Sequence, residues 1–401
     1  MAKDMRKAIE WRKAERAYNQ IHASSVFSIM GLEPVHKPEV DNLDRELEEL
    51  LEECPNYYPA LFQRAELMLR AGRSDEGEDL LSKAFNCLSD TVADETEFRN
   101  TLIQRMENLG KLLRYDLAVH YLEKAIHKYP GIALFYDYLA FYTLLPPKSN
   151  SKRALEFQKK ALDMEPGNSN FMENLGWTYM VMGDYKEAER YLKIAVSRNP
   201  QDKSHADTLN TCEYIIKHQL DYYTYFLRPA DKEFLTHLAN DGKVEELTLL
   251  CKKYNNDRLE AFVFQHLRAN SMQPHEILNI IQPFKTFMTA VEDVAGDDIF
   301  LYENVDMLLN ELKYFFYQFL VRYDHIDEAY IETVYHSICI IYKFFRETNL
   351  VNENSYNRLI ERLKPLKKEF AEKIEEYYRI RYDVSLTEEK KEHHIEKLLG
   401  I

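Results

Sequence analysis

Apolar residues recur every three or four positions through most of this 401-residue chain. This period is typical of amphipathic helices, whereas the strict alternation typical of strands is scarce. Helix breakers are also few, with 11 glycines and 13 prolines in the whole chain. The pattern therefore predicts an all-α protein.

The stretch "NLGWTYMVMGDYKEAERYLKIAV" (174–196) combines small and large residues at fixed spacings. The positions that define the spacing are Met172, Leu175, Gly176, Tyr179, Gly183, Tyr185, Ala188, Leu192, Ala195 and Pro200. They resemble the W-x2-L-G-x2-Y, A-x3-F and P pattern of the tetratricopeptide repeat, a helix-turn-helix element of about 34 residues, with Met172 in place of the usual Trp. Small residues at Gly176 and Ala188 would let two antiparallel helices approach closely.

Related spacings predict four repeats and a capping helix. The predicted bounds are 58–91, 99–132, 133–168 and 169–202, followed by the cap at 203–220. The first two repeats depart from the consensus, since Gly77 replaces an alanine and Arg105 stands where a buried Leu is expected. "DRELEELLEECP" suggests the second helix of a degenerate earlier repeat. The resemblance implies a right-handed α-solenoid over 41–220, with a concave groove lined by the first helix of each repeat.

The 3.6-residue period also predicts which side chains face that groove. With repeat positions 4, 7, 8 and 11 in the core, positions 2, 6, 9 and 13 lie on the opposite side. In the last two repeats these positions hold Leu134, Tyr138, Phe141 and Leu145, and then Asn170, Asn174, Trp177 and Val181. The equivalent positions of the first two repeats are polar, so the groove is expected to be aromatic only at its C-terminal end.

Two explanations can account for these aromatic residues. The C-terminal region of the chain could fold back and bury Phe141 and Trp177 as an interdomain core. Alternatively, they could anchor a peptide or helix of a partner protein. Asp137 and Glu173, at position 5 of their repeats, would then favour a basic flank on an apolar ligand. Some proteins of this family clamp a C-terminal carboxylate, but only Asn174 matches such a clamp, so that activity is not inferred.

The remaining residues, 221–401, resemble no family that we recognise, yet their helical periodicity continues. Segments 308–323 and 330–350 are rich in aromatic residues, and each is predicted to be one long helix. Together they predict a helical bundle or further helical repeats. The last apolar stripe suits packing on that bundle or on a partner helix. Its members are Leu359, Leu363, Leu366, Phe370, Ile374 and Tyr377.

Charge and composition narrow the possible partners and location. The net charge of -15 argues against nucleic-acid binding. Residues 1–40 predict a basic helical arm, with a local excess of positive charge in its first twenty residues. No apolar run approaches the ~20 residues of a membrane span and no signal peptide is evident, so we expect a soluble cytoplasmic protein. Five scattered cysteines indicate neither disulfides nor zinc.

No motif for catalysis, metal binding or a cofactor is present. His393 and His394 are adjacent, which points their side chains about 100° apart on a helix and disfavours a metal site. The sequence therefore predicts a non-catalytic adaptor that binds a protein or peptide. One alternative is a regulatory subunit whose groove controls the C-terminal domain. An enzyme with an unrecognised catalytic domain is the other. The partner and the oligomeric state are left open.

Overall fold

A computed structural model describes residues 2–24, 37–295, 299–322 and 326–400. Every regular element in these ranges is a helix, which confirms the all-α prediction. The described chain divides into two units. Unit 1 holds residues 2–24, 37–225 and 264–276, and unit 2 holds the rest.

Unit 1 is built from successive antiparallel helix pairs, as the repeat spacing predicts. The helices are α1 (Ala2–Ser24), α2 (Lys37–Glu53), α3 (Tyr58–Arg70), α4 (Ser74–Thr91), α5 (Glu95–Lys111), α6 (Tyr115–Lys128), α7 (Ala133–Leu144), α8 (Ser151–Met164), α9 (Ser169–Val181), α10 (Tyr185–Arg198), α11 (Lys203–His218) and α12 (Tyr222–Tyr225). Pairs α3/α4, α5/α6, α7/α8 and α9/α10 correspond to the four predicted repeats. Helix α11 packs on α9 and α10, where the capping helix is predicted.

The described part of the predicted N-terminal arm, 1–40, packs as part of the solenoid. The indole of Trp11 contacts the ring of Tyr57 with a centroid separation of 4.8 Å and the ring of Tyr58 at 5.5 Å. Trp11 and Tyr18 have the W-to-Y spacing of the repeat consensus, and α1 packs against α2. Helix α1 is therefore the first helix of the degenerate N-terminal repeat. Residues 25–36 of the predicted arm lie outside the described ranges.

The two helices of a repeat approach most closely where one residue is glycine. A Cβ atom built on Gly176 would lie 2.7 Å from Cγ of Leu192 and 3.2 Å from the carbonyl oxygen of Ala188. In the first repeat the glycine is on the second helix, as Gly77, and the alanine is on the first helix, as Ala65. A Cβ on Gly77 would lie 2.7 Å from Cγ of Leu69. The missing alanine at Gly77 is thus compatible with the repeat, because the glycine has moved to the facing helix.

Arg105, which occupies a position expected to hold a buried leucine, is accommodated by charge pairing. Its Nη1 lies 3.4 Å from Oε1 of Glu66, a residue that is 1% exposed. Nδ2 of Asn108 donates to the other oxygen of Glu66 at 3.1 Å, and the guanidinium lies 5.4 Å from the ring centre of Phe62. Burial raises the pKa of Glu66. The charge of Arg105 is therefore paired inside the repeats.

Residues 264–276 contact both ends of the repeat array. The ring of Phe264 lies edge-on to that of Tyr223 at 5.5 Å, and the Arg268 guanidinium stacks 4.2 Å above the centre of the same tyrosine ring. The imidazole of His275 packs against Gly72 in the α3–α4 turn, 2.8 Å from where a Cβ would stand. The sequence analysis placed these residues in a separate C-terminal domain, whereas they pack with the repeats.

Unit 2 contains a helical hairpin followed by a set of longer helices. They are α13 (Lys232–Asn240), α14 (Val244–Ala269), α15 (Pro274–Ala295), α16 (Val305–Asn310), α17 (Leu312–Arg322), α18 (Glu328–Glu347), α19 (Glu353–Arg381) and α20 (Glu388–Leu399), with the junction of α14 and α15 belonging to unit 1. The prediction of a single helix over 308–323 is wrong, because the helix is interrupted at Glu311, between α16 and α17. Residues 323–325 are not among those described.

Arg258 is fully buried at the centre of unit 2. Its guanidinium donates to the carbonyl oxygens of Phe226 and Arg228, both at 2.8 Å, and pairs with Glu303 at 2.7 Å. These bonds satisfy a charge that would otherwise be costly to bury. They tie the segment before α13 to α14 and to the loop before α16.

The predicted apolar stripe on α19 is confirmed as core. Its six members, from Leu359 to Tyr377, are all buried, and α19 packs against α16, α18 and α20. Of the two explanations for this stripe, packing within the chain is the one observed. None of the helices in the described ranges combines the length and apolar character that crossing a membrane requires.

Replacing Gly176 with alanine should destabilise the protein. Overpacking against Leu192 costs about 1–3 kcal/mol, which should exceed the roughly 1 kcal/mol that alanine gains in helix propensity. The matched control is Gly131→Ala, because a Cβ there meets no atom within 4 Å. Urea unfolding should show a lower midpoint for Gly176→Ala alone. Equal midpoints for the two variants would contradict the close approach.

Candidate partner-binding surface

The first helices of the four repeats present one row of side chains at repeat position 9. The row is Glu66 on α3, Glu107 on α5, Phe141 on α7 and Trp177 on α9. It is acidic in the first two repeats and aromatic in the last two, in line with the predicted change of character along the groove. We call Tyr138, Phe141 and Trp177 the aromatic face.

Phe141 and Trp177 stack on each other across adjacent repeats. Their ring centroids are 5.1 Å apart and their planes differ by 29°. Tyr142 adds an edge contact to Phe141, with the centroids 5.1 Å apart. Phe141 nevertheless keeps 42% of its surface exposed, whereas Trp177 is half-buried. The stack thus holds an exposed phenyl ring in one orientation.

Tyr222 covers part of Trp177. Nε1 of the indole donates to Oη of Tyr222 at 3.0 Å, and the two rings meet edge to face with centroids 6.1 Å apart. Tyr222 belongs to α12, immediately after the capping helix, and its ring contacts that of Tyr223. Sequence reasoning assigned this segment to the C-terminal domain. The only available signal was the cluster of tyrosines in "DYYTY".

Tyr138 connects the aromatic face to the acidic part of the row. Its hydroxyl donates to Oε1 of Glu107 at 2.5 Å, and burial together with this carboxylate raises the pKa of Tyr138. One turn later on α7, the hydroxyl of Tyr142 donates to the carbonyl oxygen of Met106 at 2.9 Å. Two hydroxyl groups of α7 therefore bond to adjacent residues of α5.

Asp137 lies inside the repeats. Only 6% of it is exposed, and one carboxylate oxygen accepts a hydrogen bond from Nε2 of Gln158 at 2.7 Å. Nδ2 of Asn174 donates to both oxygens, at 2.9 and 3.0 Å. Burial raises the pKa of Asp137, although these two amides lower it in part. Asp137 and Asn174 thus join α7, α8 and α9.

Glu173 is likewise occupied by its own chain. It accepts hydrogen bonds from the hydroxyls of Ser204 at 2.9 Å and Thr208 at 2.6 Å, both on α11. Nδ1 of His205, which is fully buried, lies 2.7 Å from the second oxygen. Asp137 and Glu173 therefore do not form the open acidic rim expected from the sequence. These two residues therefore no longer support a basic flank on the ligand.

The other predicted groove residues are dispersed. Leu134 packs against a cluster that contains Ala161 and Phe171, and Leu145 is 7% exposed, so both contribute mainly to packing. Asn170 is exposed and Val181 is half-buried. The structure brings together the three residues of the aromatic face. In the part of the chain that the structure describes, no three His, Cys, Asp or Glu residues are grouped so that they could hold a metal.

Replacing Asp137 with asparagine should change how stability depends on pH. Burial raises the folded-state pKa of Asp137, so protonated Asp137 favours the folded state. This contribution is fully present below the unfolded-state pKa of about 3.9 and is lost as pH rises through the folded-state pKa. Asparagine does not titrate. Asp137→Asn should therefore gain stability relative to the natural protein as pH increases from about 3.5 to 7.

Urea midpoints measured across this pH range test the expectation. The matched control is Asp163→Asn, which changes an exposed aspartate of α8 and should leave the pH dependence close to that of the natural protein. A stability difference for Asp137→Asn that stays constant with pH would contradict the raised pKa.

Comparison with known proteins identifies the repeat. The family model described as Tetratricopeptide repeat matches residues 149–210. YrrB, described as a TPR protein with an unusual peptide-binding site, is 16% identical over 42% of this chain and 83% of its own, with a TM-score of 0.31. MamA from Desulfovibrio magneticus RS-1 (41-end) is 18% identical over 47% of this chain and 97% of its own, with a TM-score of 0.33. A tetratricopeptide repeat protein from Parabacteroides merdae is 13% identical over 67% of this chain and 97% of its own, with a TM-score of 0.36.

The matched segment runs from just before α8, the second helix of its pair, into α11 and includes Trp177. The consensus spacing around Gly176 and the helix pairs of unit 1 agree with this match. Repeats of this kind present extended surfaces that bind other proteins. Residues 149–210 therefore match the tetratricopeptide repeat, and the other helix pairs of unit 1 have the same helix-turn-helix order.

Proposed function

We propose that this protein is a non-catalytic adaptor that binds a peptide or helix of a partner protein on the aromatic face. The observation that supports this most directly is the state of Phe141. Its ring is held by a stack on Trp177, yet 42% of its surface is exposed. Large aromatic side chains of this kind carry much of the binding free energy in protein interfaces.

The contacts around Phe141 favour binding because little order has to be gained on association. Trp177 is fixed by its hydrogen bond to Tyr222, and Tyr138 by its hydrogen bond to Glu107. A preorganised surface avoids part of the side-chain entropy that binding otherwise costs, about 0.5–1.5 kcal/mol per immobilised side chain. A partner segment would meet rings that are already in place.

Phe141→Ala should weaken partner binding by about 10-fold or more. The loss of stability should be modest, about 1–2 kcal/mol, because the ring is already half exposed and mainly loses its stacking contact. The matched control is Phe234→Ala on α13, whose ring is 43% exposed and lies outside the repeats. Both variants should keep the helical circular dichroism of the natural protein.

The measurement is affinity purification from the native cell with each full-length protein, followed by identification and quantification of the bound proteins. Partners that Phe234→Ala retains and Phe141→Ala loses would support the aromatic face. Retention of the same partners by both variants would overturn the proposal. A collapse of thermal stability in Phe141→Ala would instead indicate that the ring is core.

A further inference from the structure

Phe141 is stacked on Trp177 of the next repeat and contacts Tyr142, yet 42% of it is exposed. The stack shows that residues at position 9 of adjacent repeats lie side by side. On the other side of Phe141 in this row is the preceding repeat. There, the residue at the same repeat position is Glu107.

Two hydrogen bonds attach the residues beside Phe141 on α7 to Glu107 and its neighbour on α5. Tyr138, three residues before Phe141, donates to the Glu107 carboxylate, and Tyr142, the next residue, donates to the carbonyl oxygen of Met106. Both neighbours of Phe141 are thus attached to residues 106–107 of α5. We call the exposed parts of Glu107 and Phe141, which occupy the same position of adjacent repeats, the position-9 slot.

Glu107 differs from the other acids of unit 1 discussed above. Glu66 is buried and paired with Arg105, and Asp137 is buried against two amide groups. Glu173 is partly buried and is bonded to hydroxyl and imidazole groups of α11. Glu107 is exposed, and within the described ranges no basic side chain pairs with it. Its carboxylate remains available to a ligand on the side that Tyr138 does not occupy.

We propose that the position-9 slot takes an arginine side chain of the partner segment, a proposal that rests on the proposed function. A guanidinium is planar, so it can stack on the exposed part of the Phe141 ring. Its N–H groups can at the same time donate to Glu107 in a charge-assisted pair. The ammonium group of lysine lacks the planar face, and an acidic side chain is repelled by Glu107.

A random peptide display library selected on the full-length protein tests the slot. We expect arginine to be enriched at one position of the selected peptides. Replacing that arginine with citrulline, which keeps the planar group but loses the charge, should weaken binding to the natural protein by about 10-fold. The same replacement should have little effect on binding to Glu107→Gln. Lysine at that position should bind more weakly than arginine.

The control Glu156→Gln makes the same charge change at an exposed position of α8 and should behave as the natural protein. Peptides that require Phe141 but show no arginine enrichment, or that lose equal affinity with citrulline on Glu107→Gln, would overturn the arginine slot and leave the proposed function standing. Selected peptides that bind Phe141→Ala as well as the natural protein, or a selection that yields no binders, would overturn both.

Discussion

The close approach of the two helices in each repeat is the constraint on which the solenoid depends. At Gly176 the helices leave no space for a Cβ beside Leu192, and Gly77 meets Leu69 in the same way. Helices packed at this separation bring equivalent positions of successive repeats near each other. The 5.1 Å stack of Phe141 on Trp177 follows from that register, because both residues occupy position 9.

Buried charge imposes a second constraint, and the repeats meet it with specific partners. An unpaired carboxylate inside a protein is costly, so each buried acid is surrounded by donors. Glu66 has Arg105 and Asn108, Asp137 has Gln158 and Asn174, and Glu173 has three groups of α11. These pairs lock neighbouring helices together. They also separate acids that stabilise the fold from Glu107, which lies at the surface.

The sequence predicted what depends on spacing, and it failed where contacts join distant segments. Repeat boundaries and the α19 core follow from period and small-residue positions, which are local. Trp11 and Tyr18 carried the repeat spacing too, but the net positive charge of their segment suggested a separate arm. Sequence position alone could not show that Asp137 accepts a hydrogen bond from an amide on α8. It also could not show that Tyr222 and residues 264–276 pack with the repeats. Such contacts depend on folding in three dimensions.

Under the proposed function, the small size of the aromatic face restricts the kind of ligand that can bind with useful affinity. Burying the exposed part of Phe141 contributes about 1–2 kcal/mol at most, whereas association costs several kcal/mol in lost rotational and translational freedom. One residue on the ring is therefore insufficient. The row from Glu107 to Trp177 crosses three successive repeats, so a continuous segment can add contacts without repeating that cost. The proposed site therefore requires a polypeptide that lies along the repeats, and a small molecule on the ring alone does not suffice.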